Sequence, residues 1–512
     1  MAQRSHNKSN TGNNKAALKP VTLSLPGQMS RTLPAAEALS LLHQCQQQRQ
    51  WLAVSHIARQ LTQQLPSLEQ SWLALFGFLH DSGNYPALAE EARRCLSRKP
   101  RFIPALISLA VSLRMAQQHD DALAMVDKAL RLNPANAETL NHRGIILKEM
   151  GRNEQSVQAF NRCLALAPAN VNAIWNRADM TGVLDEAEYQ RCLALANSEK
   201  LSPGQRAMIF YALAQSDEKA ADYARQFTHI QTGARLKRAV VPYDHKAEIS
   251  QINRVAGCFS GQHSASATAG AGQPVPIFIC GLPRSGTTLT EQILSSHPAV
   301  SAGDERNDLP LAAAEVLQRK GIRKEFPDWA ADLQDDDWQA IGAAYRHSTQ
   351  DLQRGGWFTD KNLQNYKAIG LIRKALPEAK IIICRRDPMD NLWGCYRQYF
   401  ADGMYFTYDL QELADVWHAS DRLIQHWQQT GDDIFVVNYE QLTRNPQDNI
   451  RALLAFAGLP WDDACLNFHT NQRAVRTLSA TQVRQPMTTA RVAQWKRYEQ
   501  QLLPLQQALG LT

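Results

Sequence analysis

Between residues 69 and 170 the apolar positions fall on single helix faces, and these faces come in pairs. Trp72, Leu75, Phe76 and Leu79 are followed by Leu88, Ala92 and Cys95. Leu106, Leu109, Ala110 and Leu113 are followed by Ala122, Val126 and Ala129, and Leu140, Gly144 and Leu147 by Val157, Phe160 and Cys163. Spacings of three and four residues make one buried stripe per helix. The small residues Ala110 and Gly144 let paired helices approach closely. Turn residues at 81–84 and 150–153 separate the members of a pair. Pro66, Pro100, Pro134 and Pro168 close successive units 34 residues apart. Residues 35–68 read as a degenerate first unit, 171–204 as a degenerate last one, and 205–256 as further helix. From Pro276 the period changes. Short apolar runs at 276–280, 380–384 and 433–437 predict buried strands. Helical patterns at 287–296, 364–376, 389–399 and 410–430 lie between and around them. Strands alternating with helices predict a parallel sheet.

The expected chain is therefore multidomain: a mobile polar tail over 1–34, an all-α helical domain over 35–256, a linker or loop over 257–275, and an α/β domain with a central parallel sheet over 276–512. The 34-residue period resembles that of tetratricopeptide repeats, which makes the helical half a repeat solenoid with a concave face suited to peptides. A length of 512 residues agrees with more than one core.

Bulk chemistry narrows the function. Lys+Arg (55) nearly balances Asp+Glu (49), so the net charge of +6 gives no reason to expect nucleic acid but allows a local basic pocket. Nine scattered cysteines without a CxxC pair argue against a disulfide framework or a structural zinc site and fit a reducing compartment. The polar residues 1–19 do not read as a secretory signal, and no apolar run reaches membrane-spanning length, so a cytoplasmic protein is expected.

The candidate chemistry begins at GLPRSGTT, residues 281–288, between a strand and a helix. Gly281 and Gly286 allow tight turns, and the amides near Arg284, Ser285, Gly286, Thr287 and Thr288 can converge on a phosphate. The nucleoside-triphosphate version of this P-loop has Lys after the second Gly. Thr287 stands there, so the loop suits one phosphate bearing a small transferable group better than ATP. A kinase would need a cation at that position.

With these residues the α/β half resembles the sulfotransferase superfamily, and within it the tyrosylprotein sulfotransferase branch and bacterial proteins that join tetratricopeptide repeats to such a domain. The resemblance spans about 276–500. It implies 3′-phosphoadenosine 5′-phosphosulfate as sulfuryl donor, no metal, and donor contacts from 284–288. It makes Glu305 the general base, with Asp304 as neighbouring competitor and Asn307 where the family has Arg. Lys361 and Arg284 would stabilise charge on the bridging oxygen, and Arg386 would bind the 3′-phosphate. Tyr439 would lie near the adenosine. Ser479 would belong to a segment closing over the donor, with Lys496 further along. Gly394 departs from the family's Ser, a loss that the nearby Cys395 or Arg397 could partly offset. The implied function is sulfuryl transfer to a hydroxyl, with a tyrosine of a peptide or protein held by the repeats as the leading acceptor. The alternatives are a carbohydrate or small-molecule alcohol, or a non-catalytic repeat adaptor with a decayed P-loop domain.

Overall fold

The computed structural model describes residues 19–24, 29–48, 50–259, 274–475, 477 and 481–511. The expected tail falls outside them over 1–18 and 25–28, and the expected linker over 260–273. The chain divides into two compact units, Met1–Ile146 and Leu147–Thr512.

In the first unit, part of the expected tail is ordered as a strand pair. β1 (Val21–Leu23) runs antiparallel to β2 (Arg31–Leu33). Val21 and Leu23 are buried, and the Gln64 side chain exchanges two hydrogen bonds with the Thr22 backbone, 2.9 and 2.7 Å. Polar composition hid this pairing, because only two side chains of β1 face inward. Helices follow at Ala35–Gln47, Trp51–Gln64, Glu69–Asp81, Tyr85–Arg98, Ile103–Met115 and His119–Leu132. The stripe residues named above for this unit, from Trp72 through Leu140, are buried.

The second unit carries the helices Asn153–Leu166, Val171–Thr181, Glu186–Ala196, Pro203–Lys219, Tyr223–Arg238 and His245–Cys258. Asp185 and Ser202 start two of them with capping boxes, in which side chain and backbone satisfy each other's free donors. Val157 is only half-buried, and Ser156 takes the inward position. The described residues thus form an all-helical region followed by a parallel sheet.

That sheet has five strands rather than the three expected: β3 (Val275–Cys280), β4 (Val300–Ser301), β5 (Trp357–Lys361), β6 (Lys380–Arg385) and β7 (Ile434–Asn438). Their spatial order is β4-β5-β3-β6-β7, and the pairings are parallel throughout. The chain fills one side of β3 before crossing to the other, so the switch point lies at the C-terminal end of β3 beside β6, where open α/β sheets bind ligands. Side chains alternate across β3. Phe278 and Cys280 join one core, while Ile277 and Ile279 join the other. The first of these cores also contains Ala207, Tyr211, Phe227 and Ile252. The helices of 203–258, read from the sequence as further helix, are therefore the cover of one sheet face, and the core does not divide at 256. No helix among the described residues is long and apolar enough to cross a membrane.

Candidate active site

The loop at 281–286 leaves β3 and turns at once into the helix Thr287–Leu294. Gly281 has φ +146°, and a Cβ there would lie 2.5 Å from the Cys384 carbonyl oxygen. Only glycine lets the loop pass this close to β6. The neighbouring helix Pro388–Tyr396 fixes the middle of the loop: Asn391 Nδ2 donates to the Pro283 carbonyl at 2.7 Å, and Cys395 Sγ lies 3.1 Å from the same oxygen. Arg284 follows in the left-handed region, φ +66°. No side chain caps the helix, so its first-turn amides face the loop, the arrangement that attracts anions.

Positive charge gathers there. Burial pushes the Arg284 guanidinium down to about 10, with Arg491, Arg397 and Arg386 adding like-charge repulsion. Arg386 lies over the Tyr439 ring, 4.6 Å from its centroid, and donates to the Arg284 carbonyl at 3.3 Å. Tyr439 also walls the loop, since a Cβ on Gly286 would sit 3.1 Å from its Cδ2. Arg397 is paired with Glu218 at 2.7 Å. Ser285 Oγ and Arg386 Nε are buried without a hydrogen-bond partner. A phosphate oxygen can accept from both, so these residues fit a phosphorylated ligand.

The β5 side completes the site. Lys361 ends that strand level with Ile279 of β3 and is fully buried. Its ammonium donates to Glu305 Oε1 at 2.7 Å, and the Glu305 side chain is 43% exposed. Asp304 is buried instead and accepts from Arg473 at 3.0 Å. The two neighbouring carboxylates are thus separated: Glu305 faces the open side beside Lys361, and Asp304 is built into the wall. Lys361 stands on a strand that polar Thr359 and Asp360 concealed in the sequence. Asp360 points to the opposite face, where Tyr345 and Asn365 donate to it.

The loop, the cation cluster and the Lys361–Glu305 pair lie within the part of the chain that has known relatives. Residues 276–463 form a sulfotransferase-superfamily domain. They match the model described as sulfotransferase family, and residues 137–170 match that of the tetratricopeptide repeat. Protein-tyrosine sulfotransferase 1 of Danio rerio is 28% identical over 199 residues, 37% of this chain and 55% of its own. An uncharacterized protein of Aquifex aeolicus is 29% identical over 399 residues, 75% of this chain and 52% of its own. The sulfotransferase domain of a Synechococcus olefin synthase aligns at a TM-score of 0.34 with 22% identity, covering 44% of this chain and 88% of that one. The chain spans about half the length of the curated relatives it matches. The relation to protein-tyrosine sulfotransferases is one of low identity.

Around this sulfotransferase domain the remaining expected residues fall unevenly. Thr287 and Thr288 are buried at the helix start, and Thr288 Oγ1 donates to Thr477 at 3.3 Å. Ser479 lies outside the described residues. Lys496 is exposed. At Gly394 a Cβ would lie 3.3 Å from Arg284 Cβ, so the missing Ser gives way to the Arg284 side chain. Cys384 and Cys395 are buried thiols pushed up to about 12 by burial, which leaves them unreactive. Sequence reasoning missed four contributors. Arg473, Gln482 and Arg491 belong to an irregular segment without periodicity, and Gln482 accepts from Arg284 at 3.0 Å. Glu291 did leave a signal, being a charged residue inside a buried helix. Among the described residues, no group of three or more His, Cys, Asp or Glu side chains is arranged to hold a metal ion.

Proposed function

We propose that this protein transfers a sulfuryl group from 3′-phosphoadenosine 5′-phosphosulfate to a hydroxyl, without a metal, and that the leading acceptor is a tyrosine on a peptide or protein bound by a tetratricopeptide solenoid. The observation that carries the reading is the cluster of half-buried Arg284, Arg386, Arg397 and Arg491 at a lysine-free P-loop. Arg491, Arg397 and Arg386 all repel Arg284, and a ligand with two separated phosphate groups relieves that repulsion. The adjacent Lys361–Glu305 pair supplies the other half of the chemistry.

When bound, the donor presents sulfur bonded to an oxygen of its 5′-phosphate. The loop amides, Ser285, Thr287 and Thr288 hold that phosphate. Glu305 accepts the proton of the acceptor hydroxyl as its oxygen bonds to sulfur. Lys361 and Arg284 hold positive charge where the breaking S–O bond leaves its electron pair on the phosphate oxygen, stabilising charge that grows only in the transition state. Arg386, supported by Tyr439, takes the 3′-phosphate, and Arg491 adds charge where Gly394 offers no hydroxyl. Ser479 is assigned to the donor-covering segment on resemblance alone. All nine cysteines are free, which supports a reducing, cytoplasmic setting.

The test is calorimetric binding of adenosine 3′,5′-bisphosphate against Mg·ATP. Micromolar, metal-independent bisphosphate binding that is lost in Arg284→Ala supports the reading. Preference for Mg·ATP overturns it in favour of a nucleotide kinase or hydrolase.

A further inference from the structure

Resting on the sulfotransferase reading, we infer that Arg473 is a positioning residue for Glu305, and that Glu291 is the buried partner through which it acts. Arg473 comes from the irregular segment after residue 470 and makes three side-chain contacts at once. Its Nε donates to Gln292 Oε1 at 2.8 Å, Nη1 to Asp304 Oδ1 at 3.0 Å and Nη2 to Glu291 Oε2 at 3.0 Å. Glu291 is fully buried in the middle of the loop helix. Its Oε1 accepts from the Asp304 amide at 3.0 Å and from Thr359 Oγ1 at 2.9 Å. Thr359 in turn accepts from the Gly303 amide at 3.1 Å. The loop helix, the turn at 303–305 and β5 are thus joined at one carboxylate.

The turn needs this hold. Asp304 has φ +55°, a region that an L-residue occupies only when its surroundings fix it. Here they fix every handle of the residue. The Asp304 amide is bound by Glu291, its carboxylate by Arg473 and its carbonyl by the Lys361 amide at 3.0 Å. Glu305 is the next residue, and its direction is set by that backbone. Charge supports the geometry. Burial pushes the Glu291 carboxyl above its usual range while Arg473 pulls against it, and for Asp304 the attraction of Arg473 and Lys361 outweighs burial and holds it below. Two buried carboxylates packed this closely need Arg473 between them. Its removal sets Glu291 against Asp304, frees the left-handed turn and swings Glu305 from Lys361. The phosphate loop is braced separately, by β6 and the helix Pro388–Tyr396, so donor binding survives.

The test compares wild type with Arg473→Gln and Arg473→Lys in three readouts: hydrogen exchange of the 303–306 amides, bisphosphate affinity by calorimetry, and kcat for sulfuryl transfer. In Arg473→Gln, exchange at 303–306 should quicken by at least about tenfold. kcat should fall by roughly thirtyfold or more, with bisphosphate affinity and donor KM held within about threefold. Arg473→Lys should recover kcat to within about tenfold of wild type. Exchange and kcat both within about threefold of wild type would overturn the inference. So would bisphosphate affinity that falls in step with kcat, because Arg473 would then merely support the donor site. Where Arg473→Gln lacks a cooperative melt, Glu291→Gln, which removes the ion pair with Arg473 and leaves the Arg473–Asp304 contact, carries the same expectations. Failure of the wild type to bind bisphosphate or transfer sulfuryl would defeat the sulfotransferase reading instead, and the exchange comparison would still decide whether Arg473 holds the turn.

Discussion

Two of the stretches that line the site are built on opposite plans. Residues 275–294 form a strand, a glycine-bounded loop and a helix. Their conformation follows from local rules, and β6 and the helix Pro388–Tyr396 brace them. Among the described residues of 471–495 there is no long regular element. They are held by side chains that reach back into the site: Arg473 to Glu291 and Asp304, Gln482 to Arg284, and Asp390 to the amides of Ala493 and Trp495. In the proposed function, the first stretch sets where a phosphate goes. The second sets how the surrounding charges are arranged. A site can therefore be half local motif and half long-range clasp, and only the motif can be read one segment at a time.

The comparison predicts that damage to the loop is severe and damage to the clasp graded. Arg284→Ala should have the largest effect, lowering kcat/KM for sulfuryl transfer on the order of 10⁴-fold, since it removes a phosphate ligand and a transition-state cation together. A loss under about tenfold would move the burden to Lys361 and Arg386.

Next comes β5, which joins the two plans. Burial pushes the Asp360 carboxyl up to about 7, against the hydrogen bonds from Asn365 and Tyr345. Its folded pKa is raised, so between the unfolded value near about 4 and the folded value the native state binds more protons. Stability is then full below about pH 4 and declines as pH rises to 7, by roughly 4 kcal/mol. Thermal melts of wild type against Asp360→Asn across pH 4–8 check this: the wild type should lose stability over that window, and the variant should lose much less. Equal slopes would remove Asp360 as the cause.

Gly394→Ser separates the structure from the resemblance. A Cβ at 3.3 Å from Arg284 Cβ requires Arg284 to shift, so bisphosphate binding should weaken by about threefold to tenfold. Tighter binding would mean that the family's hydroxyl matters more than the position of Arg284. The smallest effect belongs to the clasp: Gln482→Ala removes one neutral partner of Arg284 and should change bisphosphate affinity by about fivefold or less. A larger loss would promote the clasp to equal standing with the loop.

The same division explains what the sequence revealed. The paired helices were legible because helix period and 34-residue spacing agree at Trp72, Leu106 and Leu140. The phosphate loop was legible because its glycines and its missing Lys have local consequences. β5 was not, because Thr359, Asp360 and Lys361 put polar groups where a buried strand would carry apolar ones, and their partners Glu291, Tyr345 and Glu305 lie far away in sequence. The hairpin at Val21–Leu23 was hidden by its shortness. The helices after 203 were legible as helix but not as the cover of a sheet, because a helix face that covers a sheet has the same period as one that covers another helix. Arg473 and Arg491 could not be assigned at all, since nothing local distinguishes an arginine that clasps from one on a surface.

The central claim is that Glu305, held beside Lys361, takes the acceptor proton. The direct measurement is the single-turnover rate of sulfuryl transfer from 3′-phosphoadenosine 5′-phosphosulfate to a tyrosine-containing peptide, in wild type and Glu305→Gln, with bisphosphate affinity measured on the same preparations. The rate should fall on the order of 10²–10⁴-fold in Glu305→Gln while bisphosphate affinity stays within about threefold. A variant that transfers sulfuryl at the wild-type rate would contradict the claim and remove Glu305 from the reaction.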